Sequence, residues 1–419
     1  MARFVGSAAK TPLAGPWRTR RVTAGVLAAA VCGLGLVACS KLLTTAPEAA
    51  DLFDSPLEGL SAADRAAFVE GDAQFARPFS IAQGLGPIFN NVSCASCHSG
   101  DGRGRPENSL TRFSLGPDPA LHLGGPQLQD KAIPSAHAET VPAGVDQSLR
   151  LPPPVFGMGL IEAIPEADLL AHADPADSDG DGISGRPNYV LPPEFMAAHL
   201  PTGVPALGRF SRKAQVSSIL EQTVAAYHQD IGITTDFLPV ENSNPLASSA
   251  TQAADRVADP ELSAAAVRSV EAYLRMLAPP APGGQTPARE RGRVVFGAAG
   301  CAGCHVPAYR TGAAGIPALA NRDVVLYSDL LLHDMGDGLA DHRPDGQADG
   351  REWRTTPLWG LRVMRDFLNG QMFLLHDGRA RSVAEAISAH GGEAAAARDA
   401  YLALPESDRS ALLDFVESR

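Results

Sequence analysis

Cys94-Ala95-Ser96-Cys97-His98 and Cys301-Ala302-Gly303-Cys304-His305 are two copies of one pentapeptide, Cys-x-x-Cys-His. This is the attachment sequence of c-type haem. Two thiols at that spacing fall on one helical turn and add across the two vinyl groups of the porphyrin. The adjacent imidazole is then placed to ligate the iron from below. A zinc site of four thiolates, or a pair of exchangeable dithiols, would use the same cysteines. Neither needs a histidine directly after the second cysteine in both copies.

The surroundings repeat as well. Phe89 precedes Cys94 by five residues, and Phe296 precedes Cys301 by five. Gly292-Arg293-Val294-Val295-Phe296 reads as the end of a short amphipathic helix, with Gly86-Pro87-Ile88-Phe89 as its looser counterpart. Between the copies, residues 263–277 show helical spacing at Val267, Val270, Tyr273 and Leu277 and end at Pro279-Pro280-Ala281-Pro282-Gly283-Gly284, a linker composition. These features predict a mainly α fold of two cytochrome c-like haem domains with long loops. The first covers 61–278 with inserted loops; a linker at 279–285 leads to the second, 286–419.

The rest of the composition agrees. Length alone, 419 residues, favours two to three domains. With 45% hydrophobic and 20% charged residues the chain is globular in type, and 41 Gly with 34 Pro predict long irregular connections. A net charge of −12 argues against nucleic acid as a partner. Residues 1–38 carry five basic residues and no acid, with an apolar run from Val22 to Ala38, the composition of an export signal. Leu36-Val37-Ala38-Cys39 resembles the bacterial lipobox, so Cys39 is expected to carry lipid, with 39–60 as a tether. An ordinary N-terminal membrane anchor is the alternative. Removing the segment moves the net charge to −17, on an exported, periplasm-facing lipoprotein; Ser40 after the cysteine favours the outer membrane. With Cys32 in the signal and Cys39 in the lipobox, the other four cysteines are all in the two haem motifs.

From residue 84 onward the chain resembles the bacterial di-haem oxidoreductases, relatives of the di-haem cytochrome c peroxidases. The resemblance rests on GLGPIFNNVSCASCH, GMGLIEAIPE, DSDGDGISGRPN, LGRF, YSDLLLHDMGDGLAD, REWRTTPLWG, FLLHDGRA and AHGGEA, in that order. The wider group includes oxygenases as well as peroxidases. One departure is Arg212, where the family usually carries a tryptophan.

His98 and His305 are the expected proximal ligands. Ser382-Val383-Ala384-Glu385 reads as a capping box and Gly391-Gly392 as a helix stop, which puts His390 on the last turn. The resemblance also sets a distal ligand near that point, so His390 is the expected sixth ligand of the second haem, with Met335 or His333 as substitutes. No residue stands out as a sixth ligand for the first haem. Glu162, an acid among Leu160, Ile161, Ala163 and Ile164, is the expected acid/base there, and the resemblance implies a distal glutamate in a comparable place; Glu166 is the second choice. Asp177, Asp179 and Asp181 occupy positions one, three and five of an EF-hand-like loop, but position twelve is Asn188. The resemblance favours calcium there; a solvated turn is the alternative. Trp353 and Trp359 either edge the haems or pack the core.

Taken together the sequence predicts an oxidoreductase with two covalently bound haem c groups. It is expected to reduce hydrogen peroxide at the first haem, the second relaying electrons from a small basic cytochrome or a cupredoxin. An oxygenase or oxidase acting on an organic substrate, and a purely electron-transferring cytochrome, are the alternatives.

Overall fold

Seven helices of seven residues or more carry the architecture of the described chain: α1 (Ala62–Ala76), α2 (Ile219–Ala226), α3 (Ala264–Met276), α4 (Pro287–Ala298), α5 (Val383–Ala389), α6 (Ala395–Leu402) and α7 (Glu406–Glu417). The protein is seen in a computed structural model that describes residues 48–98, 100 and 102–419. The expected export signal, Cys39 and the expected tether up to residue 47 lie outside the described residues. Ser61, Ser218, Ser263, Thr286 and Ser382 each start a helix by accepting an amide hydrogen bond from three residues ahead. At α5 only half of the expected capping box forms, because the Glu385 carboxylate accepts from Arg381 N instead of Ser382 N. α3 buries Val267, Val270 and Tyr273, as its spacing predicted.

Two helix crossings repeat each other. α1 packs on α3, and α4 on α7. A Cβ on Gly71 would strike the Ser269 carbonyl, and one on Gly292 the Ala411 carbonyl, so each crossing needs glycine for backbone contact. Four residues after each glycine stands a buried phenylalanine, Phe75 or Phe296. Their rings lie 6.1 Å from His98 and 6.2 Å from His305. The facing helices answer with Tyr273, 5.4 Å from Phe75, and Phe415, 5.5 Å from Phe296. The structural partner of Phe296 is therefore Phe75, not Phe89. The repeat is Gly-x-x-x-Phe, and it escapes the sequence because a long connection separates Phe75 from Cys94 whereas Phe296 leads directly into Cys301.

Helix makes up 35% of the structure and strand 12%. The described strands pair only in twos, the longest being β1 (Leu110–Ser114) with β2 (Asp146–Arg150), antiparallel. A short antiparallel pair, β3 (Leu332–Asp334) and β4 (Glu352–Arg354), carries Trp353 opposite His333. Residues 279–285 form an irregular run between α3 and α4, and apolar packing crosses it: Val306, Tyr309 and Trp359 share one buried cluster with Phe53, Phe75 and Val267. Ala49–Arg419 is one compact unit. No described helix is long and apolar enough to cross a membrane.

Candidate di-haem site

Each Cys-x-x-Cys-His motif opens on its own cavity. In the first copy Ser93 caps a single helical turn over Cys94–Cys97, and the His98 amide bonds the Cys94 carbonyl at 3.0 Å. In the second a turn over Cys301–Gly303 starts from Gly300 at φ +83°, and the His305 amide bonds the Cys301 carbonyl at 3.0 Å. Both turns thereby aim two thiols and an imidazole the same way. The His98 cavity is about 450 Å³, and the His305 cavity about 530 Å³. Both are of the size that takes a cofactor. The two cysteine pairs line different cavities and form no disulfide. Four-thiolate zinc is thereby removed. Burial pushes the Cys97 and Cys301 thiols up to about 11, which keeps them from being thiolates near neutrality.

Three histidines are oriented alike. His98 Nδ1 lies 3.3 Å from the Gly102 carbonyl, His305 Nδ1 2.9 Å from that of Tyr327, and His390 Nδ1 2.7 Å from that of Ala386. A carbonyl accepts only, so each Nδ1 carries the proton and each Nε2 keeps its lone pair for a metal. Burial is the main cause that pushes His98 and His305 down to about 4, and it also lowers His390, so all three are neutral at pH 7. His390 ends α5 and lines the His305 cavity.

His333 is not such a ligand. It is buried, with Nε2 2.8 Å from Asp329 and Nδ1 2.8 Å from Glu393. Hydrogen bonds that it donates to both carboxylates hold its pKa well above the usual histidine value despite burial. Neither nitrogen is left for iron, so one of the substitutes is excluded. Met335 does line the His305 cavity. Among the described residues no second histidine lines the His98 cavity, and its one thioether is Met158.

The expected acids are placed differently. Glu162 lies outside the His98 cavity: Oε1 accepts the Ile219 amide at 3.0 Å and Oε2 meets Arg275 Nε at 2.6 Å. With Glu166 it lines a separate recess of about 290 Å³. The apolar neighbours that suggested a buried acid are real, but their side chains point into the core while Glu162 turns to α2 and α3. The acids that do line the His98 cavity are Glu221 on α2 and Asp230 just beyond it. Burial raises both, Asp230 to about 6. Sequence reading missed Glu221 because it resembles any acid in the first turn of a capped helix.

In the acidic loop, Asp177 and Asp179 gather with Asp174, while Asp181 stands apart on the rim of the His305 cavity. The Asp174, Asp177, Asp179 and Asp181 carboxylates accept amide hydrogens of the loop itself. The tryptophans divide between the cavities, Trp353 on that of His305 and Trp359 on that of His98, and Arg354 and Pro357 between them line both.

Three arginines stand where the cavities approach. Arg103 lines the His305 cavity, Arg212 the His98 cavity and Arg354 both. All three are buried and none makes an ion pair with a described carboxylate. Arg103 Nε has no hydrogen-bond partner among the described residues, and burial lowers Arg103 and Arg354 to about 10. Arg212 gives Nε and a terminal nitrogen to the Leu151 carbonyl, and burial and the neighbouring Arg103 and Arg354 push it well below the usual arginine value. Buried, unpaired cations are costly and call for anions.

A family model described as "Di-haem oxidoreductase, putative peroxidase" matches residues 42–145 and 129–419. The chain belongs to the di-haem oxidoreductase family. No curated protein matches the sequence. Among solved structures, this di-haem oxidoreductase is similar to hydrazine synthase of Kuenenia stuttgartiensis, with 13% identity over 100% of both chains and a TM-score of 0.37. It is also similar to a MauG-like protein associated with microbial copper homeostasis, with 14% identity over 90% of this chain and 94% of the other and a TM-score of 0.38. The family is one of haem enzymes, and the residues present fit haem: each cavity offers a thiol pair and a neutral imidazole, and the guanidiniums that no described carboxylate pairs suit propionate carboxylates.

Proposed function

We propose that this oxidoreductase reduces hydrogen peroxide, with haem c held covalently by Cys94 and Cys97 in the first cavity and by Cys301 and Cys304 in the second. His98 and His305 serve as proximal ligands and His390 as the sixth ligand of the second haem, in two cytochrome c-like modules. The observation that carries this reading is the asymmetry of the cavities. That of His305 has a second neutral imidazole with Nε2 available, whereas that of His98 has no second histidine among the described residues and contains two acids of raised pKa. A cavity closed by two strong ligands suits electron transfer; one with an open side and a proton carrier suits peroxide.

When bound, haem supplies iron that takes up peroxide in the first cavity and passes single electrons in the second. The chain's own residues do the rest. Glu221 holds and moves protons at its carboxylate, Asp230 adds a second acid, and the Pro152-Pro153-Pro154 run with Phe156 keeps bulk water from the cavity. The reaction is H2O2 + 2 e⁻ + 2 H⁺ → 2 H2O. The electrons come from a one-electron donor protein, a small basic cytochrome or a cupredoxin, suited to the acidic chain, and its association slows as salt rises. A periplasm-facing lipoprotein anchored through Cys39 meets such a donor in the envelope. Electron paramagnetic resonance of the oxidised and half-reduced holoprotein, followed by peroxide turnover with a reduced cytochrome, tests the reading. One strongly six-coordinate and one high-spin or readily displaced iron are expected; two irons that keep two strong ligands in both states would reject it.

A further inference from the structure

The recess that holds Glu162 and the cavity that holds His98 are neighbours, and one hydrogen bond joins them. Ser217 lines the recess and Glu221 lines the cavity. The Ser217 hydroxyl donates to Glu221 Oε2 at 2.6 Å, and the Ser217 amide donates to the same oxygen at 3.0 Å. Neither of these bonds uses Glu221 Oε1. We propose that Ser217 and Glu221 form the proton path from the charged outer recess to the first cavity. The proposal deepens the peroxide reading and takes its substrate from it.

The chemistry needs such a path. Each peroxide consumes two protons, and the cavity wall is largely apolar, built from prolines, Phe156, Phe210 and Val270. A hydroxyl is donor and acceptor at once. Ser217 therefore accepts a proton on the recess side as it gives its own to Glu221 Oε2, and it ends unchanged. Glu221 gains one proton, rotates or uses its second oxygen, and hands that proton to a peroxide oxygen; two such cycles supply both protons. The recess side is suited to entry, with Glu166 and His199 exposed at its mouth.

The charged neighbours leave the path to this pair. On the helix that packs against α2 from Met158 to Glu162, the Glu162 carboxylate is tied to Arg275 and the Ile219 amide. On α3, Glu271 is tied to Arg268 and Arg275. Arg209 stands in both walls but spends one terminal nitrogen on the carbonyls of Ile161, Glu162 and Ile164, which fixes the partition between the two spaces. Within the cavity Asp230 bonds Gln127. Burial raises Glu221 above the usual carboxylate range with no neighbouring charge among its causes, which makes it a better proton holder than an exposed acid.

The test uses the full-length holoprotein with Ser217→Ala, Ser217→Thr and Glu221→Gln. Two rates are read: peroxide turnover in light and heavy water, and association of hydrogen cyanide with the oxidised protein, since cyanide binds as the anion and must shed its proton. Ser217→Ala and Glu221→Gln should each slow both rates about tenfold or more, and Ser217→Thr, which keeps the hydroxyl, should restore them to within about twofold. Cyanide association in Ser217→Ala within twofold of the parent overturns the path, even where turnover falls, because a merely structural serine would do that. A parent protein that leaves peroxide untouched removes the peroxide reading, while slowed cyanide association in the variants would still support the path.

Discussion

His305 and His390 line one cavity, and each commits its Nδ1 to a main-chain carbonyl, that of Tyr327 at 2.9 Å and that of Ala386 at 2.7 Å. With haem bound as proposed, two neutral imidazoles held in this tautomer would make a strong axial pair. His390→Ala should therefore turn the second haem from low spin toward high spin and leave the first haem's signal unchanged. His390→Met should raise the second haem's reduction potential, because thioether ligation favours the reduced iron. Electron paramagnetic resonance and a potentiometric titration read both. A second haem indifferent to His390→Ala would remove this ligand.

His390 was legible because its placement is local: a capping serine, seven helical residues and a glycine pair fix where it sits. The haem motifs were legible for the same reason. Glu162 was not, because the direction of its side chain is set by Arg275 on α3 and by the start of α2, partners far along the chain. The Gly-x-x-x-Phe repeat was hidden by unequal spacing to the cysteines. Arg103, Arg212 and Arg354 belong to three distant segments, two loops and the end of β4, that only the fold brings together, though the departure at Arg212 marked one of them.

The Asp329–His333–Glu393 clamp should make stability depend on pH in two ways. His333 is raised, so its share is complete below about 6.5 and is lost as pH rises through its folded value. Glu393 is lowered to about 2, against burial, chiefly by its hydrogen bond from His333. Its share is complete above the ordinary carboxylate range and is lost as pH falls through about 2. His333→Leu leaves two carboxylates facing one another in the core and should cost about 3–5 kcal/mol. Thermal unfolding of the holoprotein from pH 3 to 9 checks this. The deficit should be largest near pH 5 to 6 and shrink toward both ends; a deficit flat across that range would contradict the charge assignment.

Arg103, Arg212 and Arg354 should tune the haems by position. A buried cation favours the reduced iron, so its removal lowers the potential. Arg103→Leu should lower the second haem, Arg212→Leu the first, and Arg354→Leu both, since their side chains line those cavities. Spectroelectrochemical titration of each variant reads the shifts. Unmoved potentials would mean that the guanidiniums do not meet the propionates.

Glu162 and Glu221 offer a direct contest between the reading from local sequence and the reading from contacts. Glu162 accepts the Ile219 amide at the start of α2 and pairs with the partly exposed Arg275, which is a structural duty. Glu162→Gln keeps one acceptor for that amide but gives up the charge that faces Arg275. The expected loss is about 1 kcal/mol of stability, the scale of a partly exposed ion pair, with peroxide turnover within about threefold of the parent. Glu221→Gln should do the reverse: little change in unfolding, because the amide oxygen still accepts from Ser217, and a turnover loss of about a hundredfold if the carboxyl is the acid/base. Steady-state kinetics beside denaturant unfolding of the two variants decides between them. A large kinetic defect in Glu162→Gln with Glu221→Gln near normal would return the acid/base role to Glu162 and require its carboxylate to leave Arg275 during turnover.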